Sequence, residues 1–211
     1  MSARYFILSA VLTAMIGHSG NTNAKPAVAV GELENPAAPR RPKSTVSETV
    51  LRDADKQSIQ ALIDETHNLI QGPEFLKNLL AFGNASGELW LSPTDGTLPA
   101  REVAAAYLGV DPTYRAAAET VKLGREKGKV VGNTSIARGV EIGQNTLKRW
   151  RASSEKAKSC AINTLAHELT HTVPAGGGAS LFLDGGRRRA TRNNRALVSY
   201  TVGAEIGRAH V

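Results

Sequence analysis

The residues best suited to chemistry in this sequence are two histidines and a glutamate in the segment Thr164–Val173. His167 and His171 are four residues apart, and on an α-helix this spacing places both imidazoles on one face, one turn apart. Their ring nitrogens could then bind one metal ion. Glu168 lies beside them, where it could accept a proton from a water at the metal and deliver it to a leaving group. The alternative is a pair of solvated helix histidines with a glutamate between them.

The segment that contains this motif has the signals of a complete helix. Ser153 or Ser154 can cap its beginning, and Glu155 in the first turn interacts favourably with the helix dipole. Pro174 and the glycines that follow end it near Val173. Its apolar stripe is separate from the histidines and consists of Ile162, Leu165, Leu169 and Val173. The motif therefore does not compete with the core for the same positions.

This helix resembles the active helix of the zincin metallopeptidases. The similarity of layout extends from Lys129 to the end of the chain, with Val140–Gly143 in the place of an edge strand before the motif helix. The resemblance implies a Zn²⁺ ion bound by His167 and His171, with Glu168 as the general base in peptide-bond hydrolysis. The helices predicted before Lys129 resemble no family that we can name.

A zinc site of this kind needs a third protein ligand. The metzincin pattern would require Gly at position 174 and His at 177, where this chain has Pro174 and Gly177. The gluzincin pattern takes a glutamate from a later helix, and Glu205, 34 residues after His171, fits that position. Asp184 is a rival ligand, although an aspartate before two glycines is more often a turn residue.

Tyr200 lies on the same predicted helix as Glu205. A tyrosine near the metal often steadies the oxyanion in zincins, so this role is open to Tyr200. The five-residue separation from Glu205 does not place the two side chains on one helix face, and we favour core packing for Tyr200.

The order of predicted elements indicates an α+β fold. We expect a zincin-like catalytic domain over 129–205, with a small sheet and the motif helix at its centre, preceded by a mostly helical region over 47–128. Segment 25–46 is rich in proline and charge, which predicts a flexible linker. Helices are predicted at 47–70, 74–82, 99–108, 114–127 and 196–204, and strands at 89–92, 129–136 and 140–142.

The N-terminus has the features of a signal peptide. Arg4 is followed by the apolar run Tyr5–Gly17 and then by small residues, which predicts cleavage after Ala24 or as late as Ala29. A buried N-terminal helix is the alternative. The run is short for a membrane span, so we expect a periplasmic or secreted protein without one.

Composition and net charge limit the number of domains, the disulfide content and the binding partners that we expect. The 211 residues, 41% of them hydrophobic, suffice for one domain, and a single cysteine excludes an internal disulfide. The formal net charge is +7, and the arginines cluster at Arg187–Arg189, Arg192 and Arg195. Because no aromatic side chains lie near them to stack on bases, we do not expect nucleic-acid binding. We favour a solvated loop, or attraction to an anionic cell-envelope polymer or a membrane surface.

The last six residues, 206–211, can be encoded by a string that matches a common sequencing adapter. We therefore expect a non-native tail and a native C-terminus that this chain lacks, with Glu205 uncertain beyond its first base. The function expected from these features is that of an exported zinc-dependent peptidase. Two alternatives stay open: an amidase acting on peptidoglycan peptides with the same metal chemistry, and an inactive zincin-like binding module.

Overall fold

The computed structural model describes residues 29–35, 37–86, 88–91, 96–117, 119–124, 132–135, 139–176, 179–184 and 197–210. Within them the chain forms a mixed α+β structure, as predicted. The helices are α1 (Val30–Glu34), α2 (Asp53–Gln71), α3 (Pro73–Ser86), α4 (Ala100–Leu108), α5 (Gln144–Trp150), α6 (Glu155–Thr170) and α7 (Val198–Ala209), with a 3-10 turn at Pro112–Tyr114. The strands are β1 (Thr45–Val46), β2 (Glu88–Trp90), β3 (Thr97–Pro99), β4 (Thr120–Leu123), β5 (Gly132–Ser135), β6 (Gly139–Ile142), β7 (Pro174–Gly176) and β8 (Ala179–Ser180).

The main sheet has the strand order β1-β4-β6-β5. β4 pairs with β1 and with β6 in parallel, whereas β5 pairs with β6 in antiparallel. Val121 and Val140 are partners across the β4–β6 pair, so strands from both sides of position 129 share this sheet. The predicted boundary between 128 and 129 therefore runs through a single structural unit.

The motif helix α6 lies at the centre of one continuous core. Leu165 and Ala166 are fully buried, within an apolar cluster that extends along the chain from Leu33 to Ile206. α6 packs most extensively against α7, and the two helices approach closely at Gly203, where a Cβ atom would lie 2.6 Å from the Asn163 side-chain oxygen. Small residues on α7 thus bring the last helix against the motif helix.

The segment expected to be a flexible linker is instead packed over its described residues. Leu33 in α1 is fully buried, and β1 adds an edge strand to the main sheet. The Arg41 amide donates to the Leu108 carbonyl at 2.7 Å, and its buried guanidinium donates to the Thr172 hydroxyl at the end of the motif helix. Over its described residues, 29–35 and 37–46, the segment predicted as a linker therefore makes specific contacts with the rest of the fold, which its prolines and charges do not indicate in the sequence.

The helix predicted at 114–127 is absent from the described residues of that range. Tyr114 ends the 3-10 turn, and Thr120–Leu123 form strand β4. Val121 and Leu123 alternate with polar neighbours, and β4 has a hydrogen-bonded partner strand on each side. The sheet therefore overrides a weak helical pattern.

Several predictions fall outside the described residues or on the end of α7. The predicted signal peptide at 1–24 and the arginines at 187–195 lie outside the part of the chain that the structure describes. Residues 206–209 of the expected tail continue α7, and Ile206 is buried. Among the described residues, no helix has both the length and the apolar character that crossing a membrane requires.

Candidate metal centre

The bounds of the motif helix α6 keep His167 and His171 one helical turn apart, with their rings close together. The Ser154 hydroxyl accepts a hydrogen bond from the Ala157 amide, which caps the first turn of α6. His171 is the C-terminal cap residue and keeps helical backbone angles, with φ −72° and ψ −4°. Its ring therefore stays one turn beyond that of His167, and the two ring centroids are 5.1 Å apart.

Asp184 meets both histidines. Its Oδ2 atom lies 2.9 Å from His167 Nε2 and 3.2 Å from His171 Nε2. One ligand atom from each residue falls within a group whose members are all within 4.8 Å of one another. All three side chains are only partly buried, which leaves the group accessible. Two imidazole nitrogens and one carboxylate oxygen in such a group fit a single metal ion.

Two further contacts orient the side chains of this group. The His171 Nδ1 atom donates to the Phe182 carbonyl at 2.7 Å. Because a carbonyl can only accept, this contact keeps the proton of a neutral His171 on Nδ1 and leaves Nε2 free to bind a metal. When Nε2 is also protonated, the imidazolium donates to Asp184 instead. The Ser199 hydroxyl donates to Asp184 Oδ1. Asp184 therefore presents Oδ2 to the histidines.

Burial and hydrogen bonding have opposite effects on the pKa values of Asp184 and His171. Burial favours a raised pKa for Asp184, but hydrogen bonds from His167 and His171 hold the pKa of Asp184 well below its usual range. Burial acts to lower the pKa of His171, but the hydrogen bond and charge of Asp184 raise it above the ordinary value. Asp184 is therefore an anion, as a metal-binding carboxylate must be.

Glu168 lies next to the group on a mostly buried position of α6. Its Oε2 atom accepts a hydrogen bond from the Thr134 hydroxyl on β5 at 2.7 Å. Burial raises the pKa of Glu168, and the Thr134 hydrogen bond and the two histidines only partly offset this effect. A carboxylate with a raised pKa is suited to accept and return a proton near neutral pH.

Tyr200 also belongs to this site. Its ring lies edge-on against His167, with centroids 4.7 Å apart and an interplanar angle of 74°. The side chain is 41% exposed, so it does not have the core position favoured from the sequence. Burial and the charges of Asp184 and Glu168 raise the pKa of Tyr200, which keeps its phenol protonated as a hydrogen-bond donor.

The structure does not bring Glu205 into this group. α7 runs antiparallel to α6, so that Tyr200 lies beside His167 while Gly207 faces Ser159. Glu205 therefore lies along earlier turns of α6, where its buried carboxylate accepts a hydrogen bond from Arg208. The carboxylate that the structure brings to the two histidines is that of Asp184, the rival of Glu205 in the sequence analysis.

The chain matches no protein-family model, and no curated protein or solved structure is significantly similar to it.

Proposed function

We propose that this protein is a zinc-dependent hydrolase that cleaves peptide bonds. The observation that supports this most strongly is the convergence of His167, His171 and Asp184, with the buried Glu168 adjacent to them. Two histidines and one carboxylate are a three-ligand set typical of catalytic zinc, which keeps a further position for water or substrate. Structural zinc sites instead use four protein ligands, commonly cysteines.

Each residue has a distinct role in this proposal. His167, His171 and Asp184 would hold the metal, and a bound Zn²⁺ would supply a Lewis acid that acidifies water and polarises a carbonyl group. Glu168 accepts the proton of the attacking water and returns it to the leaving amine. Thr134 holds Oε2 of Glu168, so we assign the proton transfer to Oε1.

The metal assignment is tested by comparing two carboxamide variants. Elemental analysis of the purified wild-type protein should find about one zinc ion per chain. Asp184→Asn should bind zinc at least about tenfold more weakly, because a metal-binding anion is lost, whereas Glu205→Gln should bind it as the wild type does. The opposite result would make Glu205 the ligand. Iron in place of zinc would contradict the proposal, because two histidines and a carboxylate also bind Fe(II) in oxygenases.

The reaction is tested with Glu168→Gln and a matched control, Glu155→Gln, on the same helix. Glu168→Gln should retain zinc and lose about 10²- to 10⁴-fold in the hydrolysis of quenched fluorescent peptides, because the general base is gone. Glu155→Gln should be fully active, since Glu155 is exposed at the other end of α6. Hydrolysis that survives in Glu168→Gln would exclude this role.

The same assay separates the alternatives for this centre. Activity on cross-linked peptidoglycan peptides, with none on ordinary peptides, would favour the amidase. Zinc binding without hydrolysis of either substrate would favour an inactive binding module. We also propose that the protein acts in the periplasm or outside the cell, which rests on the N-terminal segment 1–24 and its signal-peptide features.

A further inference from the structure

Exposed apolar side chains are concentrated beside the candidate metal centre. Among the described residues, the large hydrophobic side chains with substantial exposure are Leu51 at 88%, Trp90 and Leu183 at 43%, and Tyr200 at 41%. Leu51 lies between β1 and α2. The other three lie on segments that meet around Asp184 and His167.

The connections between these segments are direct. Leu183 immediately precedes Asp184, and the Tyr200 ring contacts His167. The backbone of Trp90 forms a parallel bridge with Leu197, the residue that caps α7. β2 therefore adjoins the helix that bears Tyr200.

β2 is also joined to the segment that bears Asp184. The Leu183 amide donates to the Leu91 carbonyl, next to Trp90, at 2.8 Å. The three exposed side chains thus belong to neighbouring parts of the backbone. Two of them adjoin proposed metal ligands: Leu183 precedes Asp184, and Tyr200 contacts His167.

The outward direction of these side chains follows from their local pattern. Leu89 is fully buried in strand β2, and the next residue of a strand points to the opposite side, as the exposed Trp90 does. The exposed Leu183 likewise follows the fully buried Phe182. A single exposed hydrophobic residue needs no explanation, but a group of them beside a polar centre is a common mark of a binding surface.

We propose that Trp90, Leu183 and Tyr200 form an apolar docking surface for the substrate, and that it selects peptides with a bulky apolar side chain beside the scissile bond. This inference rests on the proposed function. The occupant follows from the continuity of the surface with the metal centre: a peptide bound at the centre must cross residues adjacent to Asp184 and His167. Because the three side chains have no formal charge, they favour an apolar side chain over a charged one.

The surface is tested by binding, so that catalysis is not needed. The Glu168→Gln protein is titrated by calorimetry with two blocked pentapeptides that differ only in a central Phe or Ala. The Phe peptide should bind about tenfold more tightly, since the burial of an aromatic ring favours binding. Trp90→Ala in the same background should reduce this preference to about threefold or less, whereas Leu51→Ala, the matched control, should leave it unchanged.

Leu183→Ala is the second variant, and it decides the test if Trp90→Ala fails to fold. Zinc content and cooperative thermal unfolding are measured for each variant, so that damage to the metal centre is recognised. Equal affinity for the two peptides, or an unchanged preference in the folded variants, would overturn the docking surface. Hydrolysis without an apolar preference would leave the proposed function intact. A preference that depends on Trp90 or Leu183, without hydrolysis, would support the surface and contradict the proposed reaction.

Discussion

Ser199 donates a hydrogen bond to Asp184 Oδ1 from a buried position in the first turn of α7. Removal of this bond should free the carboxylate to rotate away from His167 and His171. We therefore predict that Ser199→Ala binds zinc about 10- to 100-fold more weakly, measured by competition with a chelator of known affinity. Ser159→Ala is the control, because it also removes a hydroxyl bond between α6 and α7, to the Gly207 carbonyl, but touches no ligand. Equal zinc affinity in both variants would exclude this role for Ser199.

The parts of the site that the sequence predicts are those that lie within one helix. The positions of His167, Glu168 and His171 follow from helical spacing alone. The place of Asp184, the proposed third ligand, depends on how a later segment packs against this helix, which no local pattern encodes. The apolar Leu181–Leu183 run before Asp184 was the available signal, since a buried Phe182 anchors the aspartate beside α6. The position of Tyr200 could not be predicted for the same reason.

At the scale of elements, Asp55 and Arg151 join the beginning of α2 to the end of α5. The Asp55 side chain is almost fully buried. Its Oδ1 atom lies 2.7 Å from Nη2 of Arg151, and its Oδ2 atom lies 2.6 Å from Nε of Arg52. Arg151 also donates to the Ala54 carbonyl and the Ser58 hydroxyl. The hydrogen bond from Arg151 is the main cause that lowers the pKa of Asp55. Because the folded-state pKa is lowered, this stabilisation is present above the pKa of the unfolded chain and is lost as pH falls through the folded value.

We predict that Arg151→Ala lowers the free energy of unfolding at pH 7 by about 1–3 kcal/mol, because a hydrogen-bonded charge is removed from Asp55. The loss of stability between pH 7 and pH 3 should also be smaller than in the wild type. Urea unfolding at the two pH values measures both effects. Arg149→Ala, an exposed neighbour on α5, should change neither. A pH dependence that is the same in Arg151→Ala and the wild type would contradict the role of Asp55.

Helices with a long run of apolar residues at helical spacing were predicted correctly. Short elements whose packing partners lie far away in the sequence were not. α2 and α6 have apolar residues at helical spacing over many turns, and both helices are present. β4 is a four-residue strand, and its place in the sheet depends on β1 and β6. No helix is predicted at α5, because its seven residues contain few apolar positions, although Thr146 and Leu147 are buried.

At the scale of the whole molecule, the described residues of segment 29–46 pack against the rest of the fold. The buried Arg41 guanidinium contacts the Thr172 hydroxyl and lies 5.2 Å from the centre of the Tyr107 ring. The Tyr107 hydroxyl in turn donates to the carbonyl of Ala166, the residue before His167, at 3.2 Å. Arg41 therefore connects the N-terminal segment and α4 to both ends of the motif.

This arrangement predicts opposite effects for two shortened variants. A variant that begins at Lys25 keeps every contact described above and should unfold cooperatively with full zinc content. A variant that begins at Ser47 loses the buried Leu33 and Arg41 as well as strand β1, and should melt roughly 10 °C lower or more, because several kcal/mol of packing are lost. Its zinc content should fall as well, since Thr172, next to His171, loses its contact with Arg41. Thermal unfolding with metal analysis measures both quantities. Equal melting temperatures would instead show that 25–46 is separable, as a pro-segment removed on activation would be.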